Sequence, residues 1–226
     1  MTEREDVGAV IVAAGRSQRM GGDDKLWAPI EGSRPLLAYS LSAFQACAAI
    51  DRIALVVAEE AIERAQALVR QAKLAKVCAV VAGGARRQDS VRAGLDALGP
   101  CDWVAVHDGA RPLVTPELIE RGLAAARETG AACCALPTPD TVKEASDGLV
   151  SQTLDRSRLW LAQTPQVFRR ELLLRAHEHA QGEATDDAAL VEALGVRVRL
   201  YPGSPRNLKV TTQDDLALVR ALVAAT

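Results

Sequence analysis

VGAVIVAAGRSQRMGGDDK, Val7 to Lys25, is the stretch whose reading decides the fold. Its first six residues form a short, unbroken apolar run, the pattern of a strand buried on both faces. The run then leaves through Ala13, Ala14 and Gly15 into a segment carrying Arg16, Arg19 and Lys25. Small residues at a strand end let backbone N–H groups come close to an anion. The three cations could neutralise a polyphosphate, and the alternative is an ordinary basic loop. The segment is not a Walker A loop, because Lys25 lacks the preceding Gly and the following Ser or Thr. It does not match GxGxxG either.

Working outward, further apolar runs alternate with helical patterns. IALVVA (53–58), VCAVVAG (77–83), WVAVHD (103–108) and AACCALP (131–137) read as strands. Between them, Pro35 suits the first turn of a helix, in which Leu37, Leu41, Phe44 and Ala48 share a face. EEAIERAQALVRQAK reads as a second helix. Ser90 reads as the cap of VRAGLDAL, and another helix starts at Pro116. This alternation predicts an α/β fold, Rossmann-like, with a largely parallel sheet and helices on both faces. Ligands of such sheets bind beyond the carboxyl ends of the strands, where the loops 13–25, 83–90 and 108–112 fall.

The alternation breaks between Pro137 and about Leu159. That polar stretch carries a turn signal at Asp147-Gly148 and reads as a projecting hairpin. An isolated hairpin is marginal in water, so it is expected to pack on something, such as a second subunit. Beyond it, a helix near 170–180, the segment TDDAALVEAL, a strand VRVRLYP and a last helix restore the pattern. Thr212 and Asp215 have capping-box spacing at the start of that helix.

Composition sets the limits. Length 226 fits one large domain or one domain with an appendage, and aromatics at 3% require an aliphatic core. A net charge of -2 gives no global basic field for nucleic acid. Five cysteines, two of them adjacent and none in CxxC spacing, argue against a disulfide framework or a zinc site. They suit reduced thiols and a cytoplasmic location. No signal peptide or membrane-length apolar run is expected.

Three other segments carry chemistry. GGARRQDS (83–90) offers close backbone approach at Gly83-Gly84 and a hydroxyl at Ser90, or is simply a turn with a cap; Arg86 and Arg87 read as solvated. HDGARP (107–112) ends a strand on Asp108, which suits a divalent-cation ligand or a partner for Arg111. His107 reads as structural, and His177 and His179 receive no role. NLKVTT (207–212) places Lys209 in a short strand, as an edge gatekeeper or a phosphate contact.

With these segments in order, the sequence resembles the 2-C-methyl-D-erythritol 4-phosphate cytidylyltransferase family nearly end to end. The resemblance rests on AAGRSQRMGGDDK, GGARRQDSVRAGL, VHDGARP, DTVK with TLDRSRLWLAQTPQVF, TDDAALVEALG and NLKVTT. It implies transfer of a cytidylyl group from CTP to a sugar-alcohol phosphate with Mg²⁺, in one nucleotidyltransferase domain, 1–226. Ala13, Ala14, Gly15, Arg19 and Lys25 would cradle the CTP phosphates, and Gly84, Ser90 and Gly109 would line the nucleoside pocket. Asp108 would lie at the metal-bound phosphates. Arg111, Thr164 and Thr185 would face the acceptor, and Lys209 its phosphate or the transition state. The arm, 137–158, resembles a dimerisation arm that carries Thr141 and Arg156 into a partner's site. Arg19, Lys25 and Lys209 would be the catalytic cations.

Two departures stand out. Ala85 occupies a position where many relatives carry an acid, and Gly109 one where some carry alanine. A ribitol-5-phosphate cytidylyltransferase shares most of these motifs and the arm; RQDSVRAGL favours the methylerythritol branch. A molybdopterin nucleotidyltransferase would lack the arm and NLKVTT. A non-catalytic nucleotide binder would not need the acceptor-side charges, and a dinucleotide oxidoreductase would need the missing glycines.

Overall fold

The computed structural model describes residues 4–15 and 25–225. Its elements in chain order are β1 (Val7–Ala13), β2 (Pro29–Glu31), β3 (Arg34–Pro35), α1 (Leu36–Ala46), β4 (Arg52–Val57), α2 (Ile62–Gln71), β5 (Val77–Ala82), α3 (Arg87–Leu98) and β6 (Trp103–Asp108). Then follow α4 (Pro116–Thr129), β7 (Ala131–Pro137), β8 (Lys143–Ser146), β9 (Leu149–Thr153), β10 (Trp160–Arg169), α5 (Arg170–Glu178), α6 (Asp187–Glu192), β11 (Arg199–Pro202) and α7 (Gln213–Ala224). Seven strands form one sheet in the order β11-β7-β10-β6-β1-β4-β5. Six run parallel, and β10 is antiparallel to both of its neighbours.

Alternation along β1 divides the core. Ala9 and Ile11 pack with Leu37, Leu41 and Phe44 of α1 and with Leu118 and Leu123 of α4. Val10 faces the other side, among Val91 and Leu95 of α3 and Leu172 and Leu173 of α5. Both sheet faces are therefore covered, which is why the central strands read as continuous apolar runs. From β1 the chain first adds β4 and β5 on one side, then crosses to β6 on the other. The loops after β1 and β6 flank that reversal, the crevice where such sheets take ligands. Among the described residues, no helix is long and apolar enough to cross a membrane.

The projecting hairpin is β8 paired with β9. Asp147 and Gly148 both have positive φ, 50° and 80°, as a two-residue hairpin turn of matching twist requires. The α7 capping box is also present: Asp215 N donates to Thr212 Oγ1 at 3.1 Å, and Thr212 N to Asp215 Oδ2 at 2.8 Å.

Several local expectations change. Ser90 does not cap α3; it lies inside the first turn, and Arg86 N instead donates to Asp89 Oδ2 at 3.1 Å. Ala48 lies beyond the end of α1 and is exposed. The strand expected over 196–202 is confined to β11. Lys209 is not in a strand; only Val210 N bonds across, to Ala110 O at 2.9 Å. The sequence pattern gives no strand at β10. Its register on β7 slips between Ala162 and Gln166, so residues 163–165 leave the ladder. That bulge brings Thr164 to the end of β6, while Gln163 turns to Ser204 and Asn207.

Candidate active site

The end of β6 is fixed before any ligand arrives. Gly109 N donates to Val12 O at 2.8 Å, tying the loop to β1. The Ser40 hydroxyl of α1 is shared between the carbonyls of Gly109 and Arg111, at 3.0 and 3.2 Å. A Cβ at 109 would lie 3.0 Å from Leu37 Cδ1 and 3.2 Å from Ala13 Cβ. The glycine therefore lets this loop lie tightly on β1.

Asp108 is buried and meets three cations. Lys209 Nζ is 2.8 Å from Oδ2, Arg87 Nε 3.3 Å from Oδ1, and Arg111 Nε 3.9 Å from Oδ2. Burial alone would raise the carboxyl, but Arg87, Lys209 and Arg111 outweigh it and hold it well below the usual range. Arg111 is itself buried, with Nη1 donating to Asn207 O at 2.8 Å. Asn207 Nδ2 donates to Thr164 O at 2.8 Å, so the segment bearing Lys209 is sewn to the β10 bulge.

Behind Asp108 lies a closed chain of hydrogen bonds. Asp108 N donates to Thr164 Oγ1 at 3.0 Å, and Thr164 Oγ1 lies 3.0 Å from His107 Nδ1. His107 Nε2 lies 3.2 Å from Arg111 O. A carbonyl only accepts, so Nε2 carries the proton and Thr164 donates to Nδ1. Burial pushes His107 down to about 4, which keeps it neutral. His107 is thus structural, as expected, and the Thr164 hydroxyl has already spent its proton inside the chain.

Asp108, Arg111, Thr164, Thr185 and Lys209 line one cleft of about 510 Å³. The residues expected to hold the nucleotide lie at the adjoining strand ends. Gly84 N donates to Ser90 Oγ at 3.1 Å, and a Cβ at Gly83 would lie 2.3 Å from Ala14 Cβ. The loop after β5 therefore abuts the loop after β1. Lys25 opens a 3-10 turn, Lys25–Trp27, anchored by buried Leu26 and Trp27. The Arg64 guanidinium sits 4.4 Å over the Trp27 ring. Arg16 and Arg19 lie outside the described residues. Thr141 and Arg156 lie on the exposed arm, with Arg156 Nη1 donating to Pro139 O at 2.6 Å; they do not line this chain's cleft.

A family model described as 2-C-methyl-D-erythritol 4-phosphate cytidylyltransferase matches residues 7–225. A relative of that name from Dehalococcoides mccartyi (strain CBDB1) is 50% identical over 220 residues, 97% of this chain and 96% of the relative. The chain belongs to the 2-C-methyl-D-erythritol 4-phosphate cytidylyltransferase family. Solved structures agree on the fold. The 4-diphosphocytidyl-2C-methyl-D-erythritol synthase from Anaerococcus prevotii DSM 20548 matches with TM-score 0.85 at 28% identity, covering 98% of this chain and 97% of that one. The 2-C-methyl-D-erythritol 4-phosphate cytidylyltransferase of Thermus thermophilus gives 0.79 at 34% identity, covering 95% and 98%.

A cytidylyltransferase must gather phosphate charge, and this cleft holds three cations of its own, Arg87, Arg111 and Lys209. Its donor set does not fit a protein-held Mg²⁺, which needs near-octahedral oxygen ligation. Among the described residues no three His, Cys, Asp or Glu side chains cluster as a metal site. Asp108 is taken up by Lys209, Arg87 and Arg111. Asp186, also in the cleft, accepts from Gln166 Nε2 at 2.7 Å and caps α6 through Ala189 N at 2.9 Å. The expectation that Asp108 ligates a metal is therefore at odds with its surroundings.

Arg87 lines the cleft and is the main residue there whose setting sequence reasoning missed. It is not solvated but bridges Asp108 and Asp187. A signal was present: a cation at the first position of a helix opposes the dipole, so it calls for carboxylates of its own. Arg86, by contrast, is exposed; it pairs with Asp89 at 2.7 Å, and its Nη1 donates to Gly182 O at 3.4 Å.

Proposed function

We propose that this enzyme transfers the cytidylyl group of CTP to 2-C-methyl-D-erythritol 4-phosphate, giving 4-diphosphocytidyl-2-C-methyl-D-erythritol and pyrophosphate. A phosphate oxygen of the acceptor attacks the α-phosphorus in line. The new P–O bond forms as the bond to the β-phosphate bridging oxygen breaks, and pyrophosphate carries away the electron pair. The observation that carries this reading is the convergence of Lys209 and Arg111 on Asp108 beside the loop after β1. Among the described residues Arg111 Nε is buried and has no hydrogen-bond acceptor, and it lies 3.9 Å from Asp108 Oδ2.

In this reading Ala13 to Gly15, Arg19 and Lys25 bind the triphosphate, and Gly84, Ser90 and Gly109 the nucleoside. Arg111, Thr185 and Lys209 face the acceptor, while Thr164 acts by holding Asp108 and His107. Two polyanions are brought together while charge spreads, so positioning and electrostatic stabilisation supply the catalysis. The protein acts as a homodimer through the arm, which brings Thr141 and Arg156 of one subunit to the acceptor in the other. Mg²⁺ is the proposed cofactor, entering with the polyphosphate. Chelation should then stop turnover and added Mg²⁺ restore it.

The test is pyrophosphate release with CTP, comparing methylerythritol phosphate, ribitol phosphate and no acceptor, with ATP, GTP and UTP run alongside. Release that needs both CTP and methylerythritol phosphate is the expected result. Preference for ribitol phosphate moves the acceptor. CTP binding with no release under any pair overturns the reaction.

A further inference from the structure

Arg87 and the buried Asp187 form a link that the reaction above leaves unused. The Arg87 side chain is 24% exposed and its guanidinium forks. Nε reaches Asp108 Oδ1 at 3.3 Å, and Nη1 reaches Asp187 Oδ2 at 2.7 Å. Asp187, the first residue of α6, is fully buried. Among the described residues Arg87 is its one arginine or lysine partner. The other neighbour, His177 Nε2, stands 3.8 Å from Oδ1, and neither atom has a hydrogen-bond partner. Burial holds that histidine below its ordinary value, so it adds no cation at neutral pH.

The next residue ties the same wall from its other end. Gln88 Nε2 donates to Gly182 O at 3.1 Å, and Ala184 N donates to Gln88 Oε1 at 3.0 Å. Thr185 and Asp186, which line the cleft, lie between Ala184 and Asp187. The first turn of α3 therefore grips the acceptor-side wall at both ends, and through Arg87 it also grips Asp108.

We propose that Arg87, anchored by Asp187, is a positioning residue. It sets the Asp108 carboxylate against Lys209 and Arg111 and fixes the Thr185–Asp186 wall beside them. The fork is essential. A lysine ammonium is a single point charge and does not hold two carboxylates in one planar geometry. The kinetic consequence rests on the proposed reaction; the structural link does not.

The experiment compares Arg87→Gln, Arg87→Lys, Asp187→Asn and the double variant Arg87→Gln/Asp187→Asn, with melting temperature measured for each. In steady state with CTP and methylerythritol phosphate, each single variant should lose about 10- to 100-fold in kcat, the scale of a positioning error near 1 Å. KM for CTP should stay within about threefold, because the triphosphate loop is untouched. The double variant should be no worse than Arg87→Gln alone, since both changes cut one link. Arg87→Lys should not recover the loss. Wild-type kcat in variants with a lowered melting temperature overturns the proposal and leaves a structural clamp. Additive losses overturn it too. Where an uncompensated buried charge unfolds a single variant, the charge-balanced double variant decides, and wild-type kcat there is the overturning result. The Thr185 methyl resonance of the ligand-free protein reads the wall without turnover. It should shift or broaden in Arg87→Gln, and an unmoved signal overturns the link even if the substrates prove to be different ones.

Discussion

At the end of β6 a buried carboxylate is met by three cations, whereas on the arm every residue of β8 and β9 is exposed. The two regions handle charge and apolar surface in opposite ways. In the cleft, Arg111 and Lys209 are held by Asp108, so repulsion between cations is offset before a polyanion arrives. On the arm, Leu149 is 75% and Val150 61% exposed, and among the described residues the Arg156 guanidinium meets only the carbonyl of Pro139. A two-stranded hairpin does not stand alone in water. The cleft is organised within one chain, while the arm leaves apolar side chains exposed, as the proposed dimer contact requires.

The largest expected effect falls on the organised side. Lys209→Ala and Lys25→Ala should each lower turnover on the order of 10²–10³, the range for removing one transition-state donor. A loss of less than a few fold would remove that lysine from the mechanism. The arm should respond differently. Arg156→Ala should raise KM for the acceptor about tenfold, as the loss of a charged hydrogen bond does, and leave KM for CTP unchanged. Mixing Arg156→Ala with Lys209→Ala subunits sharpens the contrast. If arms reach across, the mixed dimer holds one site with both residues intact and, at acceptor concentrations below KM, regains about half of the wild-type rate per dimer. If each arm serves its own subunit, mixing restores nothing, and the contrast between the regions collapses.

Legibility in the sequence divides along the same line. The parallel strands declared themselves because burial on both faces leaves unbroken apolar runs such as VGAVIV and WVAVHD. The Asp147-Gly148 turn and the Thr212–Asp215 cap are local devices and were readable locally. β10 was not, because Gln163, Thr164 and Gln166 interrupt its apolar pattern. Those polar groups are buried against His107, Asn207 and Asp186, partners that exist only once the strands are assembled. Arg87 was misread for a related reason. Two adjacent arginines usually mean a solvated turn, and the carboxylates that bury one of them come from 21 and 100 residues further along. Lys209 read as an edge-strand residue or a phosphate contact, because NLKVTT carries no sign of its ion pair with Asp108.

The smallest effect on turnover at neutral pH should come from His107, and it sharpens the comparison from beneath the cleft. Buried behind Asp108, it is neutral in the folded protein, its pKa depressed to about 4 from 6.5. An unfolded chain takes up that proton near 6.5 and the native one only near 4. Below the unfolded value the denatured state therefore binds more protons, and stability is lost as pH drops through that window. The full difference is about 3 kcal/mol at its acid end. His107→Gln should cost stability at pH 7 through the altered bonds to Thr164 and Arg111, yet lose less of it between pH 6.5 and 4 than wild type does. Urea unfolding at several pH values measures this directly. Parallel slopes for the two proteins would mean that His107 titrates like an exposed imidazole and that the closed hydrogen-bond chain behind Asp108 does not hold it. A shallower slope for the variant would show the chain at work. The arm contains no histidine, so its deletion should leave that part of the pH dependence unchanged.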